Sequence, residues 1–446
     1  MAYKVPVRRW VMVDRVETLF VRLSGVDVGT LVLLHGTRTI FSFNQAYVDA
    51  PAKPTLSLSF LDQFGTLMTR ARSTNLKVPQ FFSNLLPEGA LRPYLAGRAG
   101  VKEHRDFLLL RALSADLPGA VEIASDDQDG GAVSTKCALR FSLAGVQMKF
   151  SVLKGAGDHG LMAPVGGVGG DWVLKLPSQT YAAMPENEFS MMSLAARLGM
   201  DVPEVQLVDL QSVEGLPADV GGLSGQALAV KRFDRGPGGR VHIEDFAQVF
   251  GQWPENKYGK ATMRNIATVI AAKAPHEADE FIRRLVYNTL IGNGDMHLKN
   301  WSLIYRDQIN PSLAPAYDFL STIPYIPNDD SALRYVSTKK MEHVGSAELQ
   351  VLAEKAGLPV HSTLAVARQT VEQFLDEWPR AKADLPIAQN VAESIDSHLQ
   401  QLALIRDFVP KVYFVDRQMA GDPILEVAAE DAIQPPVTSN IGGAGA

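Results

Sequence analysis

The sequence predicts an α+β protein built from more than one lobe, and three observations carry that reading. A chain of 446 residues exceeds what a single hydrophobic core usually organises. Short strand-like runs cut by glycine and polar turns dominate its first half, and longer runs with helical apolar spacing dominate its second. With 46% hydrophobic and 21% charged residues, its composition is that of an ordinary globular protein.

In chain order, TLFVRLSG, GTLVLLHG and RTIFSFNQAYV read as strands, VPQFFSNLLPEGALRPYLAGRAG has helical spacing, and RDFLLLRALSADLPGAVEI adds a further helix. Residues 1–120 are therefore expected to form a small α+β domain without a catalytic constellation of its own. SDDQDGGAVSTK is polar enough for a linker. Over 121–235, CALRFSL, MKFSVLKG, DWVLKLP and GQALAVKRFDR predict a sheet-rich lobe with one helix, ENEFSMMSLAARLG, whose Phe189, Met192, Ala196 and Gly199 are expected on one face. Over 236–430, HIEDFAQVFGQ, TMRNIATVIAAKA, ADEFIRRLVYNTLIG and VARQTVEQFLDEW predict a helical lobe with one strand pair inside 301–317. Residues 431–446 carry too little apolar content to pack and are expected to be disordered.

Composition also narrows the setting. The net charge of −6 argues against a surface that coats nucleic acid. Cys137, the single cysteine, cannot form an internal disulfide, which suits a reducing compartment. The opening MAYKVPVRRWVMVDRVE is too interrupted by charge for a signal-peptide core, and no stretch approaches the roughly 18 apolar residues of a membrane span. A cytoplasmic location away from membranes is the expectation.

The chemistry concentrates in LIGNGDMHLKNWSLIY, residues 290–305. Gly292 stops a helix that carries Phe281, Leu285 and Leu290, so Asn293 to Asn300 form the loop behind it. A hairpin from WSLIYR through DQIN to PSLAPAYDF then brings Asn300 and Asp318 together, with Pro315 tolerable only in an edge or irregular arm. An amide and carboxylates at that mouth are hard oxygen ligands suited to Mg²⁺ carrying substrate phosphates. Protein kinases set a catalytic aspartate five residues before a metal-binding asparagine, with a second metal-binding aspartate further on. Asp295 and Asn300 have that spacing, with Asn293-Gly294-Asp295 in place of H-R-D and Tyr317-Asp318-Phe319-Leu320 in place of D-F-G. His297 and Lys299, inside the loop, are candidate nucleotide ligands.

Upstream, RFSLAGVQMKF offers a strand, an Ala144-Gly145 turn and a strand; Ser142, Leu143, Ala144, Gly145, Val146 and Gln147 are candidate phosphate-loop residues, because turn amides form an anion-binding nest. Lys175 lies inside an apolar strand and needs an anion: nucleotide phosphate, or Glu188 or Glu186 of the next helix. Lys231 and Phe233 lie on the strand between the lobes, where backbone groups and an apolar ring can meet an adenine. The order of these parts specifies phosphoryl transfer from a nucleotide bound between a sheet lobe and a helical lobe.

Taken together, SLAGVQMK, DWVLKLPS, NEFSMMSLAARLGMDVP, VKRFDR, EDFAQVFG, GNGDMHLKNWSLI and LAPAYDFLST resemble the HipA family of kinase-fold toxins over about 140–325. VGTL, FSFNQAYV, LSLSF and FFSNLLPEGALR resemble that family's N-terminal domain. The resemblance implies a bilobal protein-kinase-like fold with an extra N-terminal domain and an ATP-dependent serine/threonine protein kinase using Mg²⁺. By position it makes Asp295 catalytic, Asn300 and Asp318 the metal ligands, Lys175 the phosphate-binding lysine, Lys231 and Phe233 the adenine segment, and Ser142 the autophosphorylation site. It further implies a protein substrate bearing Ser or Thr, glutamyl-tRNA synthetase being the target of some members, and a HipB-type helix-turn-helix antitoxin through which DNA is contacted. A small-molecule or lipid kinase, and a catalytically silent antitoxin-bound corepressor, are the alternatives.

Overall fold

A computed structural model of the chain describes residues 16–34, 37–125, 148–154, 161–162, 169–216 and 223–409. The phosphate-loop candidates Ser142 to Gln147, the strand CALRFSL and the tail 431–446 lie outside them.

The first sheet consists of β1 (Glu17–Leu23), β2 (Val26–Leu34), β3 (Arg38–Phe43), β4 (Arg72–Asn75) and β5 (Val121–Ser125), in the spatial order β4-β3-β2-β1-β5. Alternation in β1 explains its orientation: Leu19, Val21 and Leu23 are buried while Arg22 is exposed. Because β5 pairs antiparallel with β1, this sheet takes in 121–125, beyond the boundary expected at 120.

The second sheet consists of β6 (Lys149–Lys154), β7 (Leu161–Met162), β8 (Trp172–Lys175), β9 (Val205–Asp209) and β10 (Gln226–Lys231), in the order β7-β6-β8-β10-β9. Phe150, Val152, Trp172, Leu174, Ala227 and Ala229 belong to the same buried cluster as the first sheet and its helices. The two units expected from the sequence thus share one core, because the second sheet is small and buries a face against the first domain rather than against itself.

The helix Met184–Arg197 covers this sheet with a different face from the expected one. Ala196 is exposed and Phe189 only half-buried, whereas Met191, Met192, Leu194 and Ala195 are buried together with Asn187 and Glu188. Buried polar residues had masked the helix's apolar period.

A separate core holds the helical lobe. Its helix Ala278–Leu290 buries Phe281, Leu285 and Leu290, as the spacing predicts, against the long helix Val360–Asp384. A two-stranded ribbon, β11 (Arg235–Gly236) and β12 (Gly239–Arg240), leads into a three-stranded sheet of β13 (His242–Asp245), β14 (Ser302–Tyr305) and β15 (Ser312–Leu313). The single strand pair expected at 301–317 therefore has a third member, β13, antiparallel to β14. Pro315 follows β15, outside the ladder, where its missing N–H is harmless.

Candidate active site

The loop from Asn293 to Asn300 starts where Gly292, at φ +66°, ends the helix Ala278–Leu290. Gly294 packs closely as well: a Cβ there would lie 2.0 Å from the Asp329 carboxylate, which would have to move aside. Its amide donates to Thr322 Oγ1 at 2.8 Å. Asp295 is held through its backbone carbonyl, which accepts from His297 N and from Asn300 Nδ2, both at 2.8 Å. Tyr258 donates its hydroxyl to Asp295 Oδ1 at 3.2 Å. The Asp295 side chain is 51% exposed, yet it sits in a cleft whose walls displace bulk water. That desolvation pushes its carboxyl up to about 6 against the opposing pull of Lys257, a poise suited to a general base.

The hairpin β14–β15 brings its ends back together, and Asn300 and Asp318 line the same cleft. Asp318 adopts φ +57°, a conformation that non-glycine residues rarely take, at the position where D-F-G stands in kinases. Its carboxylate accepts from Lys175 and lies 3.6 Å from Lys149. Lys175 also donates to Glu188, which settles the choice between Glu188 and Glu186. Desolvation opposes ionisation of Asp318, but Lys149 and Lys175 together hold its carboxyl well below the usual range. Burial lowers Lys149, whereas Lys175 is raised because Asp318 and Glu188 outweigh the same penalty. Burial and the neighbouring Asp318 carboxylate push Glu188 up against the pull of Lys175.

Lys149 was not singled out in the sequence. It stands directly opposite Lys175 in the β6–β8 register, so both side chains rise from one face of the sheet. The spacing inside MKFSVLKG carries no sign of that pairing; only the strand register supplies it.

Two cavities meet at this point. A mainly apolar one is walled by Val173, Val230, Phe233, Ile243 and Tyr317, and on its remaining side by Asn84, Leu85 and Pro118 of the first domain. A polar cleft holds Asn293, Asp295, Asn300 and Glu188. Lys149, Lys175 and Asp318 line both. The first domain, expected to carry no catalytic constellation of its own, therefore contributes wall residues to the site.

Lys231 and Phe233 flank the apolar cavity. Phe233 packs on Tyr317 at 5.6 Å between ring centroids. Lys231 turns its ammonium toward Glu204, at 3.4 Å, and its backbone N–H donates to the Glu204 carbonyl at 2.8 Å, while the residue still lines the cavity.

Two of the expected nucleotide ligands have other duties. His297 is buried edge-on against the Tyr258 ring, and desolvation lowers it to about 3, so it is neutral and supports the loop from behind. Lys299 borders the apolar cavity, but its ammonium is already bonded to Asp245 Oδ2 at 2.6 Å, Asn84 Oδ1 at 2.9 Å and the Asn84 carbonyl at 3.1 Å. Both sit in a polar stretch that looks accessible in sequence; the tertiary packing buries them.

The Asp318 carboxylate and the Asn300 amide oxygen form a hard donor set of the kind that Mg²⁺ shares with phosphate oxygens. Among the described residues no group of three or more His, Cys, Asp or Glu is arranged to hold a metal. An ion here needs part of its shell from a ligand.

Comparison with known proteins gives consistent matches along the chain. The model of the HipA-like C-terminal domain matches residues 141–378, and that of the HipA N-terminal domain matches 19–124. The putative kinase Y4dM of Sinorhizobium fredii is 54% identical over 405 residues, spanning 88% of this chain and 99% of that protein. The serine/threonine-protein kinase toxin HipA of Shewanella oneidensis is 26% identical over 310 residues, spanning 58% of this chain and 66% of that protein. In the solved complex of the Shewanella oneidensis HipA, HipB and operator DNA, one chain superposes with a TM-score of 0.66 at 22% identity, covering 91% of this chain and 100% of that one, a likeness of fold.

Proposed function

The chain belongs to the HipA family, and from that premise we propose that it is an ATP-dependent serine/threonine protein kinase acting as the toxin of a toxin–antitoxin module. The observation that carries this is the meeting of an apolar cavity and a polar cleft at Lys149, Lys175 and Asp318. A nucleotide has the same polarity along its length, with the base seated against Phe233 and Val173, the phosphates at the two lysines, and the transferred group facing Asp295.

Asp295 accepts the proton of a serine or threonine hydroxyl. The hydroxyl oxygen bonds to the γ-phosphorus as the bond from that phosphorus to the β–γ bridging oxygen breaks, and ADP leaves with the electron pair. Asn300 and Asp318 would hold Mg²⁺, whose chemistry is to neutralise charge on the phosphates. Lys175, now bonded to Asp318 and Glu188, turns toward the phosphates while Glu188 keeps it in register. Autophosphorylation of Ser142, the serine that the family resemblance singles out, would add a dianion that repels ATP phosphates and switch the protein off.

A HipB-type antitoxin, which would carry the DNA contact, and a cytoplasmic location complete the reading. The named components of the structurally similar complex support the first. The second agrees with the finding that no helix among the described residues is long and apolar enough to cross a membrane. Glutamyl-tRNA synthetase is the first target to test. Labelled ATP added with a cell lysate decides the class: a labelled protein band supports the reading, while a labelled small product or no transfer moves it to a small-molecule kinase or a silent corepressor.

A further inference from the structure

We propose that Glu88 of the first domain is a positioning residue for the catalytic loop, so that the active site is incomplete without that domain. This rests on the phosphoryl-transfer reading for its kinetic consequence, but its structural part stands apart from it.

Glu88 reaches out of the turn in NLLPEGALR and ends between Lys299, inside the loop, and Lys257, packed beside it. Its Oε2 accepts from Lys257 Nζ at 3.0 Å, and its Oε1 lies 3.5 Å from Lys299 Nζ. All three side chains are nearly out of solvent, at 15%, 9% and 2% exposure for Glu88, Lys257 and Lys299. Oε1 is buried with no hydrogen-bond partner among the described residues, so that oxygen acts through its charge. Both lysines are tied to the loop. The Lys257 carbonyl accepts from Leu298 N at 3.3 Å, and Lys299 adjoins Asn300. Lys257 also sits 5.3 Å from the centre of the Tyr258 ring, whose hydroxyl holds Asp295.

The sign of the effect follows from charge. Two buried ammonium groups face Glu88 and Asp245, and removing one carboxylate leaves an excess cation that cannot be hydrated in place. Lys257 is the mobile member, since Lys299 keeps Asp245 and Asn84. The Asp295 carboxylate already feels the charge of Lys257. Freed from Glu88, it would pair with the base and pull the loop off its geometry. The nucleotide cavity is lined by neither Glu88 nor Lys257, and Lys299, which borders it, keeps its bonds to Asp245 and Asn84, so the affinity for nucleotide should hold.

The test uses the full chain with Glu88→Gln, Glu88→Asp and the double variant Glu88→Gln/Lys257→Gln. Amide hydrogen exchange over 293–300 and the MgATP dependence of phosphoryl transfer are measured for each. Glu88→Gln is expected to speed exchange over 293–300 but not over 226–233, and to lower kcat about 10- to 100-fold with KM for MgATP nearly unchanged. Glu88→Asp and the double variant are each expected to recover part of both losses. Native exchange in Glu88→Gln would overturn the proposal, as would faster exchange throughout the chain with kcat and KM degraded together. If the native protein transfers no phosphate, the kinase reading fails while the exchange measurement still decides the role of Glu88.

Discussion

Two largely buried clusters of four charges border the apolar cavity, and they differ in what completes them. In one, Arg232 and Arg235 face Asp116 and Asp234 with bonds of 2.8–3.0 Å. Gly119 N and the carbonyls of Gly119 and Leu117 take up the remaining lone pairs and protons. In the other, Lys149 and Lys175 face Glu188 and Asp318, but Asp318 is 21% exposed to the cleft and strained at φ +57°. Both clusters balance two positive charges against two negative ones. The first is closed by fixed backbone and acts as a joint between the first domain and the inter-lobe strand. The second is open on one side, so a ligand with its own charges can enter and take over the lysines. Charge balance alone does not distinguish a joint from a site; the free side does.

The strongest way to sharpen this contrast acts on the site's chemistry. Asp295→Asn is expected to cut phosphoryl transfer by about 10²–10⁴ with MgATP binding preserved, measured by label transfer and by titration of the nucleotide. Because desolvation raises the Asp295 carboxyl, the native fold holds that proton more tightly than the unfolded chain does. The stability it gives is present below its ordinary range and lost as pH rises through about 6. Thermal unfolding at pH 7 should therefore find Asp295→Asn at least as stable as the native protein.

Breaking the joint should do the reverse. Arg232→Met leaves Asp116 and Asp234 buried around a lost cation and is expected to remove about 3–5 kcal/mol of stability, read from denaturant unfolding. Lys175→Met in the open cluster should weaken MgATP by about 10- to 100-fold but lower stability less, since Glu188 can take a proton and Asp318 can reach water. Equal losses of stability in the two variants would erase the distinction.

Smaller effects follow. As Asp295 must be ionised to accept a proton, kcat/KM should fall about tenfold between pH 7 and pH 5, with a midpoint near 6. An acid limb unchanged in Asp295→Asn's residual activity would assign it to another group. Protein incubated with MgATP is expected to gain phosphate at Ser142 and lose nucleotide affinity, whereas Asp295→Asn protein stays unmodified; peptide mass spectrometry beside a binding assay reads both. Least of all, Lys231→Gln should leave KM for MgATP within about twofold, because its ammonium spends itself on exposed Glu204.

What the sequence determined by itself lies within short reach along the chain. The stop at Gly292, the Asp295–Asn300 spacing and the hairpin that returns Asp318 are local, set by helix termination and turn chemistry, and they hold in the folded molecule. That Lys175 needs an anion was legible, with nucleotide phosphate, Glu186 and Glu188 all open; the two glutamates differ by two positions on a helix whose buried face includes polar residues. Tertiary structure decided the rest. Lys149 joins the site through strand register, Tyr258 through packing against the loop, and Glu88 and Asn84 through docking of the first domain, contacts between residues too distant in the chain for any periodicity to encode. His297 and Lys299 show the same limit from the other side. Their residue types announce chemistry, but whether a histidine or a lysine is free to act depends on burial and on partners supplied by other parts of the fold.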